Sequence, residues 1–147
     1  MSNRIKIDKV EAAGYKAMLQ MESYVQSSGI APRHKELIKI RASQINGCAF
    51  CIDMHTRDAR KQGETEQRIY ALNAWRETPF FDEQERAILA LTEQVTLIPN
   101  GVSDEVYAEA EAVLEPDYLA KVIMAIITIN GWNRIAISTG MKPAKQA

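Results

Sequence analysis

The feature that most constrains the fold lies near the end of the chain. From about Asp117 to Ser138, apolar residues occupy several faces of a helical wheel, with Leu119, Val122, Ile123, Ile126, Ile127 and Ile129 spread around it. A surface helix carries a single apolar stripe. A helix apolar on several faces has to be covered on several sides, at the centre of a bundle or in a subunit interface. The longest apolar run in it, Val122 to Ile129, falls far short of the ~18 residues that mark a membrane span, so no membrane partner is expected. The run is rich in β-branched residues, but it sits inside a longer helical stretch without bounding turn signals, which favours helix over strand.

The rest of the chain reads as the cover for that helix. Asp8 followed by Glu11 marks a helix start, after which Met18, Met21 and Val25 share a face, and Ser27-Ser28-Gly29 closes the segment. Pro32 suits the first position of a second helix with Leu37, Ile40 and Ile45 inward, and Asn46-Gly47 stops it. A third segment runs from about Cys48 to Gln62 and is closed by Gly63. Thr65 caps a helix that buries Ile69, Leu72 and Trp75. Asp82 and Glu85 have capping-box spacing ahead of Ile88, Leu91 and Val95. Pro99-Asn100-Gly101 breaks that helix, Ser103 starts one carrying Val106, Ala110 and Val113, and Pro116 interrupts again. No strand series is present. The expectation is an all-α protein of about six or seven helices, with the cysteine pair at the start of a central helix. The 147 residues fit one domain spanning 1–147, a length that buries roughly two-thirds of the unfolded surface.

Charge narrows the partners. With 18 basic and 19 acidic residues the formal net charge is −1, which gives no basic footprint and argues against nucleic acid as the main partner. The segment from Met1 to Gly14 mixes Arg4, Lys6, Asp8, Lys9 and Glu11 with apolar residues and has no h-region, so the expected compartment is the cytoplasm. Structural disulfides are rare there. The two cysteines, Cys48 and Cys51, are three positions apart, and such a pair in a reducing compartment reads as catalytic or metal-binding before it reads as a staple.

Around that pair the sequence is Cys48-Ala49-Phe50-Cys51-Ile52-Asp53-Met54-His55. A two-residue spacer lets both sulfurs meet on the first turn of a helix, where free N–H groups favour thiolate over thiol. His55, four residues after Cys51, shares its helix face and can take the thiol proton or pair with the thiolate. The two arguments name different nucleophiles: the helix dipole favours Cys48, the histidine spacing Cys51. Zinc is the sharper rival chemistry, with Cys48, Cys51 and His55 as ligands and His34 as a fourth. Against it, structural zinc sites draw a second Cys or His pair from elsewhere in the chain, and here only His34 remains. His34 itself reads as an exposed residue of a helix first turn. Glu36 has two readings as well. It is a first-turn glutamate favoured by the helix dipole, or, if the helices before and after Gly47 pack antiparallel, a carboxylate facing the cysteines as a proton relay. Spacing alone favours the former.

Glu36, the Cys48-Ala49-Phe50-Cys51 motif and His55, with the flanking runs Ile40-Arg41-Ala42-Ser43-Gln44-Ile45-Asn46-Gly47 and Asn130-Gly131-Trp132-Asn133-Arg134, resemble the AhpD-like alkylhydroperoxidases of the carboxymuconolactone decarboxylase superfamily. The resemblance covers about Glu36 to Met141. It implies an all-helical fold assembled as trimers or hexamers, and cofactor-free, metal-free reduction of a small hydroperoxide. By that resemblance Cys51 is the attacking sulfur and Cys48 the resolving one, Glu36 and His55 form the proton relay, and a lipoyl- or thioredoxin-like dithiol regenerates the thiols. Phe50 stands where the best-studied members carry a histidine, which predicts redox cycling with slower peroxide reduction. The decarboxylase branch generally lacks the cysteine pair, so lactone decarboxylation is not expected. The alternative is a zinc-binding or redox-sensing module built on Cys48, Cys51 and His55.

Overall fold

Two left-handed glycines decide how the chain folds back around its functional end. The computed structural model describes residues 3–147 and is all-helical; Met1 and Ser2, part of the segment read above for targeting, lie outside the described residues. In order, its α helices are α1 (Ile7–Val10), α2 (Ala12–Ser27), α3 (Pro32–Asn46), α4 (Ala49–Lys61), α5 (Glu66–Ala71), α6 (Glu83–Thr96), α7 (Asp104–Val113) and α8 (Pro116–Thr139), with short 3-10 turns at Leu72–Glu77 and Ile98–Asn100. At Gly47, φ is +70°. The Cys48 N–H returns to the Ser43 carbonyl, so α3 stops sharply and α4 begins after only Gly47 and Cys48, a cap that favours glycine. Gly140, with φ +72°, ends α8 the same way and turns Met141 back along the helix, its N–H on the Ala136 carbonyl.

Capping agrees with the sequence at most other ends. Thr65 accepts from the Arg68 N–H, Ser103 from the Val106 N–H, and Asp82 with Glu85 forms a reciprocal capping box. At the first helix the structure differs. Asp8 lies inside the single turn α1, and Glu11 is the residue that caps α2, through the Gly14 N–H. That extra turn makes eight α helices among the described residues, where about six or seven helices were expected.

The core has two main parts. Val25, Ile38, Ile88, Leu91, Val122, Ile126 and Ile129 join α2, α3, α6 and α8. Leu37, Ile40, Leu72, Trp75, Phe81 and Leu89 fill the space between α3, the 3-10 turn and α6. Helix α8 packs against α2, α3, α4, α6 and α7. Its length and hydropathy would suit a membrane span, but it is the bundle's core helix, as several-sided apolarity requires. Ile127 alone of the predicted set remains half exposed.

Helix α3 is equally central, which its sequence conceals. Every residue from His34 to Ile40 is buried, including Lys35, Glu36 and Lys39. Buried charge needs a partner: Lys35 Nζ donates to the Gln26 carbonyl at 3.2 Å and Lys39 Nζ to Glu22 at 2.6 Å, while Glu36 faces His55 at 3.5 Å without a hydrogen bond between them. His34, expected to be exposed, is buried with its Nδ1 2.7 Å from the Tyr118 hydroxyl. The reason is that α8 crosses over the first turn of α3, and Tyr118 also accepts the Ala31 N–H at 3.0 Å.

Candidate active site

The site forms where α4 starts against α3 and α8. Cys48 is the N-cap of α4, held by the Gly47 turn, and its Sγ accepts the Cys51 N–H at 3.3 Å. The two sulfurs are joined as a disulfide with the Cα atoms 5.3 Å apart, so the pair is close enough to cycle between dithiol and disulfide without moving the backbone. Both cysteines are buried against Ala136 of α8, with Phe50 alongside.

A buried amide network fixes this corner. Asn46 Nδ2 donates to Oδ1 of both Asn130 and Asn133 at 2.9 Å. Asn133 Nδ2 donates to Ser43 Oγ at 2.9 Å, and Ser43 in turn to the Lys39 carbonyl. Asn133 and Ser43 are fully buried. The two flanking runs singled out in the sequence are therefore one hydrogen-bonded joint between the α3–α4 elbow and α8.

His55, one turn beyond Cys51, points its Nδ1 at Glu36 Oε2 of α3, 3.5 Å away. Helices α3 and α4 do pack as neighbours across the Gly47 turn, and this brings Glu36, Cys51 and His55 to one place. Both facing atoms, Glu36 Oε2 and His55 Nδ1, are buried and without a hydrogen-bond partner among the described residues.

A cavity of about 270 Å³ opens beside them. Tyr15 and Leu19 of α2, Phe50 and Met54 of α4, and Trp132 and Ile135 of α8 make its walls, Met141 closes one end, and Cys51 and His55 reach it while Cys48 does not. Its one carboxylate is Glu22. Burial alone would raise that group, but the hydrogen bond and charge of Lys39 hold it below the ordinary carboxylate range, helped by Gln26 and Trp132. The Trp132 indole N–H donates to Glu22 Oε2 at 3.1 Å and its ring packs edge-on to Tyr15 at 5.5 Å. The cavity therefore suits an uncharged, largely apolar molecule.

Glu22 and Lys39 were not singled out from sequence, since both look like surface charges there. The only available signal was their position among residues that had to be buried. The zinc set considered from sequence is not assembled, because the sulfurs are bonded to each other and His34 is engaged with Tyr118.

The model of the carboxymuconolactone decarboxylase family matches residues 12–94, more than half of the chain. The uncharacterized Bacillus subtilis protein YdfG is 48% identical over 147 residues, covering 99% of this chain and 100% of its own. A solved Agrobacterium tumefaciens protein, described as a putative antioxidant defence protein AhpD, superposes with a TM-score of 0.94 at 42% identity, covering 98% of this chain and 100% of its own. A debrominase shares the fold, with a TM-score of 0.80 at 18% identity over 87% of this chain and 70% of its own.

Proposed function

The chain belongs to the carboxymuconolactone decarboxylase family, in its AhpD-like group, and on that premise we propose that it is a cytoplasmic thiol peroxidase acting through Cys51. The observation that carries this is the unequal access of the two sulfurs: Cys51 lines the apolar cavity beside His55, and Cys48 does not. Access outweighs the helix dipole, because a sulfur that cannot touch the substrate gains nothing from being a better thiolate.

In the reduced protein His55 takes the Cys51 thiol proton, with Glu36 across its Nδ1 steadying the imidazolium. The thiolate attacks the terminal peroxide oxygen. The O–O bond breaks, the sulfur is oxidised to sulfenic acid, and the departing alkoxide takes the proton from His55 to leave as the alcohol. Cys48 then attacks the sulfenic sulfur. The S–S bond forms, the hydroxyl leaves with one proton as water, and the disulfide seen in this structure results. A dithiol of the lipoyl or thioredoxin kind supplies two electrons and two protons by exchange, becoming a disulfide itself. No cofactor is needed. The chain works as a homo-oligomer, a trimer or hexamer.

Two serine variants test the assignment. With cumene hydroperoxide, Cys48→Ser should consume one equivalent and stop, leaving a sulfenic acid at Cys51 that mass spectrometry detects. Cys51→Ser should consume none. Peroxide consumption by Cys51→Ser at the wild-type rate would overturn the reading.

A further inference from the structure

The contact between Glu36 and His55 is incomplete in a way that points to a third component. Their facing atoms are 3.5 Å apart, within ion-pair reach, yet both are buried and neither makes a hydrogen bond. Glu36 is only 6% exposed. Buried unpaired atoms of this kind call for a proton, a water or an ion between them. One turn after His55 on α4, Asp58 supplies another oxygen, and one donor atom from each of Glu36, His55 and Asp58 lies within 4.8 Å of the others.

We propose that Glu36, His55 and Asp58 bind a divalent cation of the zinc class, and that its binding switches off the thiol chemistry of Cys51. Two carboxylates and one imidazole are a donor set for a borderline first-row cation. Side-chain rotations of less than about 1 Å would bring all three to ordinary zinc–ligand distances of about 2.0–2.2 Å. The ligand nearest solvent is the least committed: among the described residues Asp58 pairs with Lys61 at 3.7 Å, and that lysine's side chain is 76% exposed and free to swing away. A second cleft, of about 260 Å³, is lined by Glu36 together with Arg33 and Gln62 and shares no lining residue with the apolar cavity. Glu36 is the one ligand of the three that lines it, so this carboxylate is approached from outside the substrate's place.

The switch rests on the thiol-relay reading above. A cation on Nδ1 requires neutral imidazole with its remaining proton on Nε2. The ring then has no nitrogen left to accept the Cys51 proton, and the Glu36 carboxylate that steadied the imidazolium is committed to the ion. Binding displaces any proton the three groups held, with no change in oxidation state.

The disulfide form of the full chain, titrated calorimetrically with zinc chloride, tests the site without thiol ligands. The expected result is one zinc per chain, with affinity lowered at least about tenfold by Asp58→Asn and by Glu36→Gln, in the range seen when groups around a metal are removed. In the reduced protein, zinc should slow alkylation of Cys51 by iodoacetamide. The zinc concentration for half-effect should shift at least about tenfold in Asp58→Asn, measured against that variant's own zinc-free rate. No saturable zinc binding by the oxidised wild type, or equal binding by Asp58→Asn, overturns the site. Asp58-dependent binding without slower alkylation overturns the switch. A metal-free protein that turns over no peroxide refutes the peroxidase reading instead, and leaves the titration and alkylation results to judge the cation.

Discussion

His34, in the first turn of α3, is buried against Tyr118 of α8, whose hydroxyl accepts the Ala31 N–H and can donate its own proton to His34 Nδ1. With Tyr118 as the donor, the imidazole is neutral. Burial depresses the His34 pKa below the ordinary 6.5, and the nearby Arg33 and Arg68 act in the same direction against Glu85 and Asp82. Unfolding restores the ordinary value, so between the two values the unfolded chain binds more protons. The contribution to stability is whole above about pH 6.5 and is lost as pH falls towards the folded value. Urea midpoints measured from pH 8 down to 5 should therefore drop for the wild type more than for His34→Gln. Equal slopes in the two proteins would show that His34 is not the group responsible. Glu36 likewise owes its surroundings to a distant element: spacing alone made it a dipole-favoured first-turn glutamate, and the packing of α3 on α4 puts it opposite His55.

At the scale of elements, helix ends were legible and helix environments were not. Caps are local chemistry: Asp82 with Glu85, Thr65, Ser103 and Gly47 act within a few residues of themselves, and all four stand where the sequence placed them. The charges on α3 depend on partners far along the chain, so nothing local distinguishes Lys39, paired with Glu22 in the core, from a solvated lysine. The same holds for Arg68 of α5. Its guanidinium bonds Glu85 of α6 at 2.7 Å and Glu64 at 2.7 Å, donates to the Phe80 carbonyl and lies over the Phe81 ring. Burial alone would weaken its hold on the proton, but the hydrogen bonds to Glu85 and Glu64 raise its pKa. Glu85 is 1% exposed, so removing Arg68 leaves a carboxylate in the core with only the exposed Arg33 guanidinium, 4.0 Å away, to offset it. Arg68→Ala should lower the free energy of unfolding by about 3–5 kcal/mol, the cost of breaking a buried pair from one side. Exchanging both residues, Arg68→Met with Glu85→Gln, should recover much of that loss. Urea denaturation decides the matter, and a single-variant loss below about 1 kcal/mol would mean that the pair behaves as a surface ion pair.

At the scale of the whole molecule, the several-sided apolarity of α8 is divided between two uses. Leu119, Val122, Ile126 and Ile129 fill the core of the single chain, and Ile127 is left 49% exposed one helical turn from the partly buried Ile123. A lone exposed isoleucine needs no explanation. This one continues a surface where Ile123 and Leu119 meet Tyr107 and Pro116 around a shallow groove, and a contiguous apolar surface is what an interface between copies would cover. In the proposed homo-oligomer, Ile127→Lys should shift the sedimentation coefficient towards that of a monomer at micromolar concentration. A substitution at a half-exposed position away from the core should change single-chain stability by no more than about 0.5 kcal/mol. The separation of the two readouts matters: loss of assembly with an intact fold places Ile127 in the interface, whereas loss of both would mean that the chain's own core had been disturbed. An Ile127→Lys protein that sediments like the wild type puts the interface elsewhere. A wild type that is already monomeric would remove assembly from the proposed function, and the apolar cavity, bounded entirely by α2, α4, α8 and Met141 of one chain, would then have to serve the chemistry alone.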